Sequence, residues 1–483
     1  MNILALDVGT SSMRGILFDD GGKQIAAHQV RYHVTTIDHE RVEQDPQSWV
    51  RALREICRAL ARRAPIGALS LTSQRSSVIP VDDHGTALRP ALMWQDTRNA
   101  GLVAELAPQT DFVQERCGAR PNTVYSGLKM AWLKRNEPAS YQRAARLCTI
   151  ADYLTKHMTD RFVTDTTYAS RSLLMNLSTG SWDPELLELL GVDESKLCPI
   201  VVPGSISGVV SAAFAAETGL RRGIPLVSAG GDQQCGALGQ GVVGAGRIAA
   251  TFGTGAFLLE QADCLPRVMP RELICGAHAL PGAYTLESSL LTCGALYDWC
   301  RTTLFPEGLE VMNGEVATSP LGSGGVYVLP FFQGRGTPDW NSSAHGAFAG
   351  MSLSTSRGDM ARAVLEGIAL EAANHVVLLE KQGGTAAAIC VGGGITNQPL
   401  FPQMLADATG RQVLRERATV ESTARGAWMS AAVTLGLVDD FDEAFGVAAR
   451  DSVYDPYEPN PGTVPLYQEM RARMNDLYAR IEA

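Results

Sequence analysis

The sequence predicts an α/β protein of two related domains facing each other across a cleft. A repeated phrase is the first reason. Ile3 to Phe18 runs through Asp7-Val8-Gly9-Thr10-Ser11-Ser12, and Ile248 to Leu259 runs through Thr251-Phe252-Gly253-Thr254-Gly255. Each is an apolar strand, a Gly-Thr turn among small or hydroxyl residues, and a second apolar strand. A β-hairpin of that kind exposes backbone N–H and hydroxyl donors at its tip, the groups that a phosphate chain needs. The second reason is that strands and then long helices follow each hairpin. The third is length, since 483 residues exceed what one core accommodates.

The elements read in order as follows. After the first hairpin, the Asp19-Asp20-Gly21-Gly22 turn leads to a strand over 24–30. Residues 46–63 have helical spacing, with Trp49, Leu53, Ile56, Cys57 and Leu60 on one face. Strands at 66–72 and 78–81 bracket Ser73-Gln74-Arg75-Ser76-Ser77. The segment 93–99 passes from strand to helix, and helices dominate to about Leu190. A short strand over 224–229 leads to Gly230-Gly231-Asp232-Gln233-Gln234. The glycine-rich stretch 239–246 opens the second half, which holds a strong helix over 357–382 and a strand over 387–391 ending in Gly392-Gly393-Gly394. No low-complexity linker intervenes, so the domains are expected to divide as 1–242 and 243–483.

Composition narrows the function. The net charge is −10 and basic residues form no long run, which argues against nucleic acid or an anionic membrane as the main partner. Ten cysteines make no Cys-x-x-Cys and no zinc-like spacing with the eight histidines, so they read as reduced core residues. There is no basic leader and no apolar run of membrane-spanning length, so a cytoplasmic protein is expected.

Two glycine motifs are rejected. Gly239 to Gly244 fits Gly-x-Gly-x-x-Gly, but a helix precedes it and a strand follows, the reverse of a dinucleotide-binding turn. The Gly22-Lys23 pair is followed by Gln24, so there is no Walker A loop.

Other positions carry chemistry. Asp7 lies directly before the first tip; it is either a turn-forming carboxylate or, as Thr10, Ser11 and Arg14 around it favour, an outer partner for Mg2+ beside bound phosphates. Arg14 is either a solvated strand residue or, four residues past the turn, a guanidinium placed to offset charge on a transferring phosphoryl group. Asp232, after two glycines and before a helix, suits both an N-cap and a base that takes a hydroxyl proton. Gly392 to Asn397 offers backbone without Cβ for a flat base and ribose.

Taken together these segments resemble the FGGY carbohydrate kinases, of the actin-like (ribonuclease H-like) superfold, over almost the whole chain. Ser126 to Asn136 is similar to the family's first signature, although Val124 departs from its opening position. Gly346 to Met351, Asp359-Met360 and Ala363 to Glu366 fit the second throughout. Within the family the chain resembles the glycerol kinase-like and xylulokinase-like branch, through Ser73-Gln74-Arg75, Trp94-Gln95-Asp96, Tyr168 to Arg171 and Gly231 to Gln234.

The resemblance implies an ATP- and Mg2+-dependent kinase for a small sugar or polyol. Asp232 would be the catalytic base, while Asp7, Gly9, Thr10, Ser11 and Arg14 handle Mg2+ and the β- and γ-phosphates. Gly253 and Thr254 would hold phosphate from the other domain, and Gly294, Asp298, Gly393 and Asn397 would line the nucleotide site. The substrate set would be Gln74, Arg75, Ser76, Trp94, Asp232, Gln233 and Phe257. In glycerol kinases an acidic residue stands where this chain has Ser76, and a tyrosine where it has Val124; a longer polyol or a ketose is therefore expected. Glycerol kinase proper and a non-catalytic nucleotide-dependent member of the superfold are the alternatives, and a homodimer is left open.

Overall fold

A computed structural model describes residues 1–417 and 421–482. The first half folds around a six-stranded sheet built from β1 (Ile3–Val8), β2 (Ser12–Phe18), β3 (Gln24–Arg31), β4 (Ala68–Ser73), β5 (Ile206–Val209) and β6 (Pro225–Gly231), in the order β5-β6-β4-β1-β2-β3. The second half holds β7 (Arg247–Phe252), β8 (Ala256–Ala262), β9 (Ile274–Ala277), β10 (Tyr284–Leu290), β11 (Ala388–Gly392), β12 (Gln412–Glu416) and β13 (Tyr454–Tyr457), in the order β9-β10-β8-β7-β11-β12-β13.

The duplication expected from the repeated phrase extends through both sheets. In each, the hairpin's first strand (β1 or β7) pairs antiparallel with its second and parallel with a crossover strand (β4 or β11). The crossover strand pairs parallel with β6 or β12, which carries an antiparallel edge strand. The edge strand precedes β6 in the chain but follows β12. Both hairpin tips have three residues, 9–11 and 253–255.

Helix α1 (Pro46–Ala61) starts where Asp45 accepts the Gln47 N–H with Pro46 in the first turn. Its Trp49, Leu53, Ile56, Cys57 and Leu60 are buried as the spacing predicted. The segment 78–197 forms a largely helical insertion with its own apolar cluster. Helix α2 (Asp232–Gly239) follows β6, and residues 240–246 turn into β7, so the Gly-x-Gly-x-x-Gly match joins a helix to a strand as read. Helix α3 (Arg357–Gly383) opens with a capping box between Ser356 and Asp359. Nine of the ten cysteines are buried; Cys264 is exposed, an exception to the core reading because it sits in the turn after β8. Among the described residues no helix is long and apolar enough to cross a membrane.

Helix α4 (Ser422–Thr434) occupies in the second half the place that α2 has in the first, and the two cross each other. Small residues permit the approach. A Cβ on Gly239 would lie 1.8 Å from the Ser422 carbonyl oxygen, and one on Gly426 would lie 1.9 Å from that of Cys235. Ala424, Ala427, Trp428 and Ala431 of α4 share a core with Ile3, Ala5, Ile16 and Phe18 of the first sheet. Ser70 Oγ donates to the Ala427 carbonyl at 2.6 Å, and Trp428 Nε1 donates to that of Asp19 at 3.1 Å. The second half thus covers one face of the first half's sheet. Gly426→Ala is expected to lower stability by about 1–3 kcal/mol, since the added methyl meets backbone that has nowhere to move. Urea unfolding checks this, and an unchanged midpoint would contradict it.

Candidate active site

The first hairpin sets Asp7 of β1 directly opposite Arg14 of β2. Its tip is held from below: the Gly9 N–H donates to the Ser12 carbonyl at 3.0 Å, while the Gly9 carbonyl accepts from Tyr32 OH at 2.7 Å and from Gln74 Nε2 at 3.3 Å. Thr10 and Ser11 are left at the surface, and Thr10 Oγ1 accepts from Trp94 Nε1 at 3.1 Å. That bond joins the hairpin to the segment expected to line a substrate pocket.

Arg14 forms an ion pair with Glu421, just ahead of α4. Burial pushes the Asp7 carboxyl up to about 7, with further upward pressure from Asp232 and Glu421 and only Arg14 opposing. At Asp7 itself, two neighbouring carboxylates thus act against a single guanidinium, that of Arg14. Such an arrangement suits a divalent cation, whose charge would restore Asp7 to its ionised form. Among the described residues, no group of three or more His, Cys, Asp or Glu converges as a dedicated metal cage.

The second hairpin docks on a helix start. The Gly253 carbonyl accepts from the Gly294 N–H at 2.8 Å, and that of Thr254 accepts from Cys293 N–H at 2.9 Å and Ala295 N–H at 3.2 Å. A Cβ at Gly294 would come within 2.5 Å of the Gly253 oxygen. Gly393 has φ +99°, and a Cβ there would lie 2.2 Å from the Phe252 oxygen, so only glycine fits this junction. Gly253, Thr254, Gly294 and Gly393 thus converge. Among the described residues no hydrogen bond ties the side chains of Asp298 and Asn397 to them. Asp298 is exposed and pairs with Arg301 at 3.4 Å, and Asn397 is exposed at the end of the short turn Gly394–Asn397.

Between the hairpins lies a buried polar network. Asp232 occupies the first position of α2 and accepts the Gln233 N–H at 2.8 Å. The cap is Gly231, not Asp232, because the extended backbone ends one residue earlier than expected and Asp232 is already helical. Arg75 Nε stands 3.7 Å from Asp232 Oδ1, and Arg75 Nη1 donates to Glu287 Oε1 at 2.8 Å. Burial holds the Asp232 carboxyl above the ordinary carboxylate range, with Arg75 pulling it down. Arg75 and Arg171 outweigh burial at Glu287 and hold its carboxyl below that range. Phe257 pairs with Ser289 in the β8–β10 ladder and Leu259 with Glu287, so Phe257 and Glu287 share one face of the second sheet. Trp94 and Phe257 are partly exposed, Gln233 is half-buried, and Gln74 is buried under the first tip.

Ser76 is buried with φ +72°, and its hydroxyl donates to the Arg171 carbonyl at 3.4 Å. Tyr125 is buried beneath the Arg171 guanidinium, 5.0 Å above its ring, whereas Val124 is partly exposed. Glu287 and Glu421 escaped sequence reading, and Arg171 entered it only within the stretch Tyr168 to Arg171, with no role of its own. A lone charged residue within the otherwise uncharged strand Tyr284–Leu290 was the signal available for Glu287. Lys129, inside the first signature, is also buried, and its ammonium donates to the carbonyls of Thr123 at 2.6 Å, Val124 at 2.9 Å and Trp94 at 3.4 Å. It ties together two stretches of the pocket wall.

Comparison with known proteins gives the family and the fold. Residues 2–239 match the model of the FGGY family of carbohydrate kinases, N-terminal domain, and residues 248–435 match that of its C-terminal domain. A glycerol kinase from Alkalilimnicola ehrlichii is 34% identical over 456 residues, covering 90% of each chain. The crystal structure of xylulose kinase from Rhodospirillum rubrum superposes with a TM-score of 0.93 at 26% identity, covering 100% of this chain and 99% of that one. Plasmodium falciparum glycerol kinase, solved with ADP, superposes with a TM-score of 0.91 at 24% identity over 99% of this chain and 98% of its own.

Proposed function

The chain belongs to the FGGY family of carbohydrate kinases, and from that premise we propose that it transfers the γ-phosphoryl group of MgATP to a hydroxyl of a small polyol or ketose, with Asp232 taking the hydroxyl proton. The observation that carries this reading is the partly buried Asp232–Arg75–Glu287 arrangement, linked to the first hairpin through Trp94 and Thr10. A protein that only senses nucleotide has no use for a carboxylate and guanidinium fixed there, and the non-catalytic alternative is set aside.

Residues 1–242 are taken as the acceptor half and 243–483 as the nucleotide half. Thr10, Ser11 and the backbone of Gly9 meet the β- and γ-phosphates from one side, and Gly253 and Thr254 from the other. Gly294, Asp298, Gly393 and Asn397 border the nucleotide. Mg2+ held beside Asp7 would offset charge on the transferring phosphoryl group. Arg14 adds positive charge from the same hairpin. Phosphoryl transfer then needs alignment and one base, and Asp232, fixed by the Gln233 N–H and flanked by Arg75, is positioned as that base.

Acceptor-dependent ADP release, followed in a coupled assay over glycerol, erythritol, pentitols, pentuloses, hexuloses and aldonates, tests the reading. Turnover of at least one acceptor is expected, and none would sink it. Asp7→Ala is expected to raise the Mg2+ concentration needed for half-maximal rate and to lower kcat. Identical kinetics across a magnesium titration would remove Asp7 from the metal's surroundings.

A further inference from the structure

We propose that Glu287, contributed by the second half, is a positioning residue for the acceptor pocket of the first: it holds Arg75 at a fixed stand-off from Asp232 and so keeps the base free to accept a proton. The proposal rests on the kinase reading above.

Glu287 lies in the middle of β10, is buried, and is surrounded by donors from other elements. Arg75 approaches it through both terminal nitrogens, Nη1 at 2.8 Å from Oε1 and Nη2 at 3.5 Å from Oε2. Arg171 Nη1 stands 3.5 Å from Oε2, and Gln234 Nε2 donates to Oε1 at 3.3 Å. Two guanidinium groups therefore face two carboxylates, the buried Glu287 and the partly buried Asp232, and their charges balance. The division between the carboxylates is unequal. Arg75 bonds Glu287 with its terminal nitrogens and leaves Asp232 only an Nε contact of 3.7 Å.

The stem of Arg75 is confined as well. A Cβ built on Gly231, the residue before Asp232, would lie 2.6 Å from Arg75 Cδ. Arg75 thus passes directly over the turn that carries the base, and the direction of its guanidinium decides whether Asp232 is paired. With the Glu287 charge gone, the nearest carboxylate for this guanidinium is Asp232. A short, charge-assisted pair would then occupy the lone pairs that a substrate hydroxyl needs. Glu287 and Arg75 belong to different halves, so the same contact also makes pocket geometry depend on how the halves meet.

The test compares wild type, Glu287→Gln and Glu287→Asp with the best acceptor found for the wild type, together with ADP binding by calorimetry and thermal melting. For Glu287→Gln a fall in kcat of about 10²-fold is expected, the scale of a misplaced reacting group. KM for ATP and affinity for ADP should stay within roughly threefold, well under the 1.4 kcal/mol of a tenfold change. Glu287→Asp keeps the charge on a shorter stem and should recover at least part of kcat. Wild-type kcat in the Gln variant would overturn the proposal. So would a loss of ADP affinity and melting temperature that parallels kcat with no recovery by Asp, because that pattern marks a purely structural residue. A wild type inactive on every acceptor sinks the kinase reading itself, and is thereby distinguished from a failure of Glu287 alone.

Discussion

Asp232→Asn is expected to reduce turnover by roughly 10²–10⁴-fold, the range for loss of a positioned proton acceptor, while ADP binding stays near wild type. The substitution isolates one property. The amide oxygen can still accept the Gln233 N–H that fixes the side chain at the start of α2, so the local fold persists. Arg75 remains anchored by Glu287 at 2.8 Å, so its guanidinium is not released into the pocket. What the amide cannot do is take a proton from a substrate hydroxyl. A steady-state assay at saturating MgATP with the best acceptor, beside calorimetric ADP titration, separates the two effects. Near-normal turnover with intact nucleotide binding would reject Asp232 as the base. Joint loss of turnover and ADP affinity would assign it a wider structural role.

The features legible in the sequence are those whose physics is local. Apolar alternation around a Gly-Thr tip marks both hairpins, and helical spacing marks α1 and α3 within a residue or two of their ends. The order of helix and strand around residues 239–246 was enough to reject a dinucleotide-binding turn. Features that depend on distant partners were not legible. Nothing near residues 422–434 says that this helix lies on the first sheet; its small residues gain meaning only beside Gly239 and Cys235. Glu287 looked like one carboxylate in an otherwise uncharged strand until the fold brought Arg75 and Arg171 to it.

The family signatures are legible for a different reason, since parts of them are architecture. Glu366 of the second signature accepts from Gly322 N–H at 3.1 Å, Ser323 Oγ at 2.7 Å and Arg362 Nε at 2.9 Å. A Cβ on Gly350 would meet the Gly325 oxygen at 2.2 Å. Such contacts identify the fold without identifying the acceptor; the positions proposed to discriminate acceptors, Ser76 and Val124, lie elsewhere.

At those two positions the second large effect is expected: kcat/KM should be higher for a four- or five-carbon polyol or ketose than for glycerol. Glycerol kinases are expected to offer an acidic side chain and a tyrosine where this chain has Ser76 and Val124. The structure closes the obvious routes of compensation. Ser76 is buried, held at φ +72°, and its hydroxyl is committed to the Arg171 carbonyl. Tyr125, one place beyond Val124, is buried beneath Arg171, and Lys129 fixes the Thr123 and Val124 carbonyls so that the wall cannot slide by one residue. Glycerol hydroxyls would thus lose a carboxylate acceptor and a phenol. A hydrogen bond to a charged group is worth about 1.5–3 kcal/mol, or roughly tenfold to 150-fold in kcat/KM for the carboxylate alone. A longer acceptor can instead reach Arg75, Trp94 and Gln233. Specificity constants, not rates at one concentration, must be compared, because discrimination resides in transition-state binding. Restoring the carboxylate by Ser76→Glu should move the preference towards glycerol if the left-handed backbone tolerates it. Glycerol giving the highest constant with the unaltered chain would overturn this reading of the pocket and leave glycerol as its physiological class of substrate.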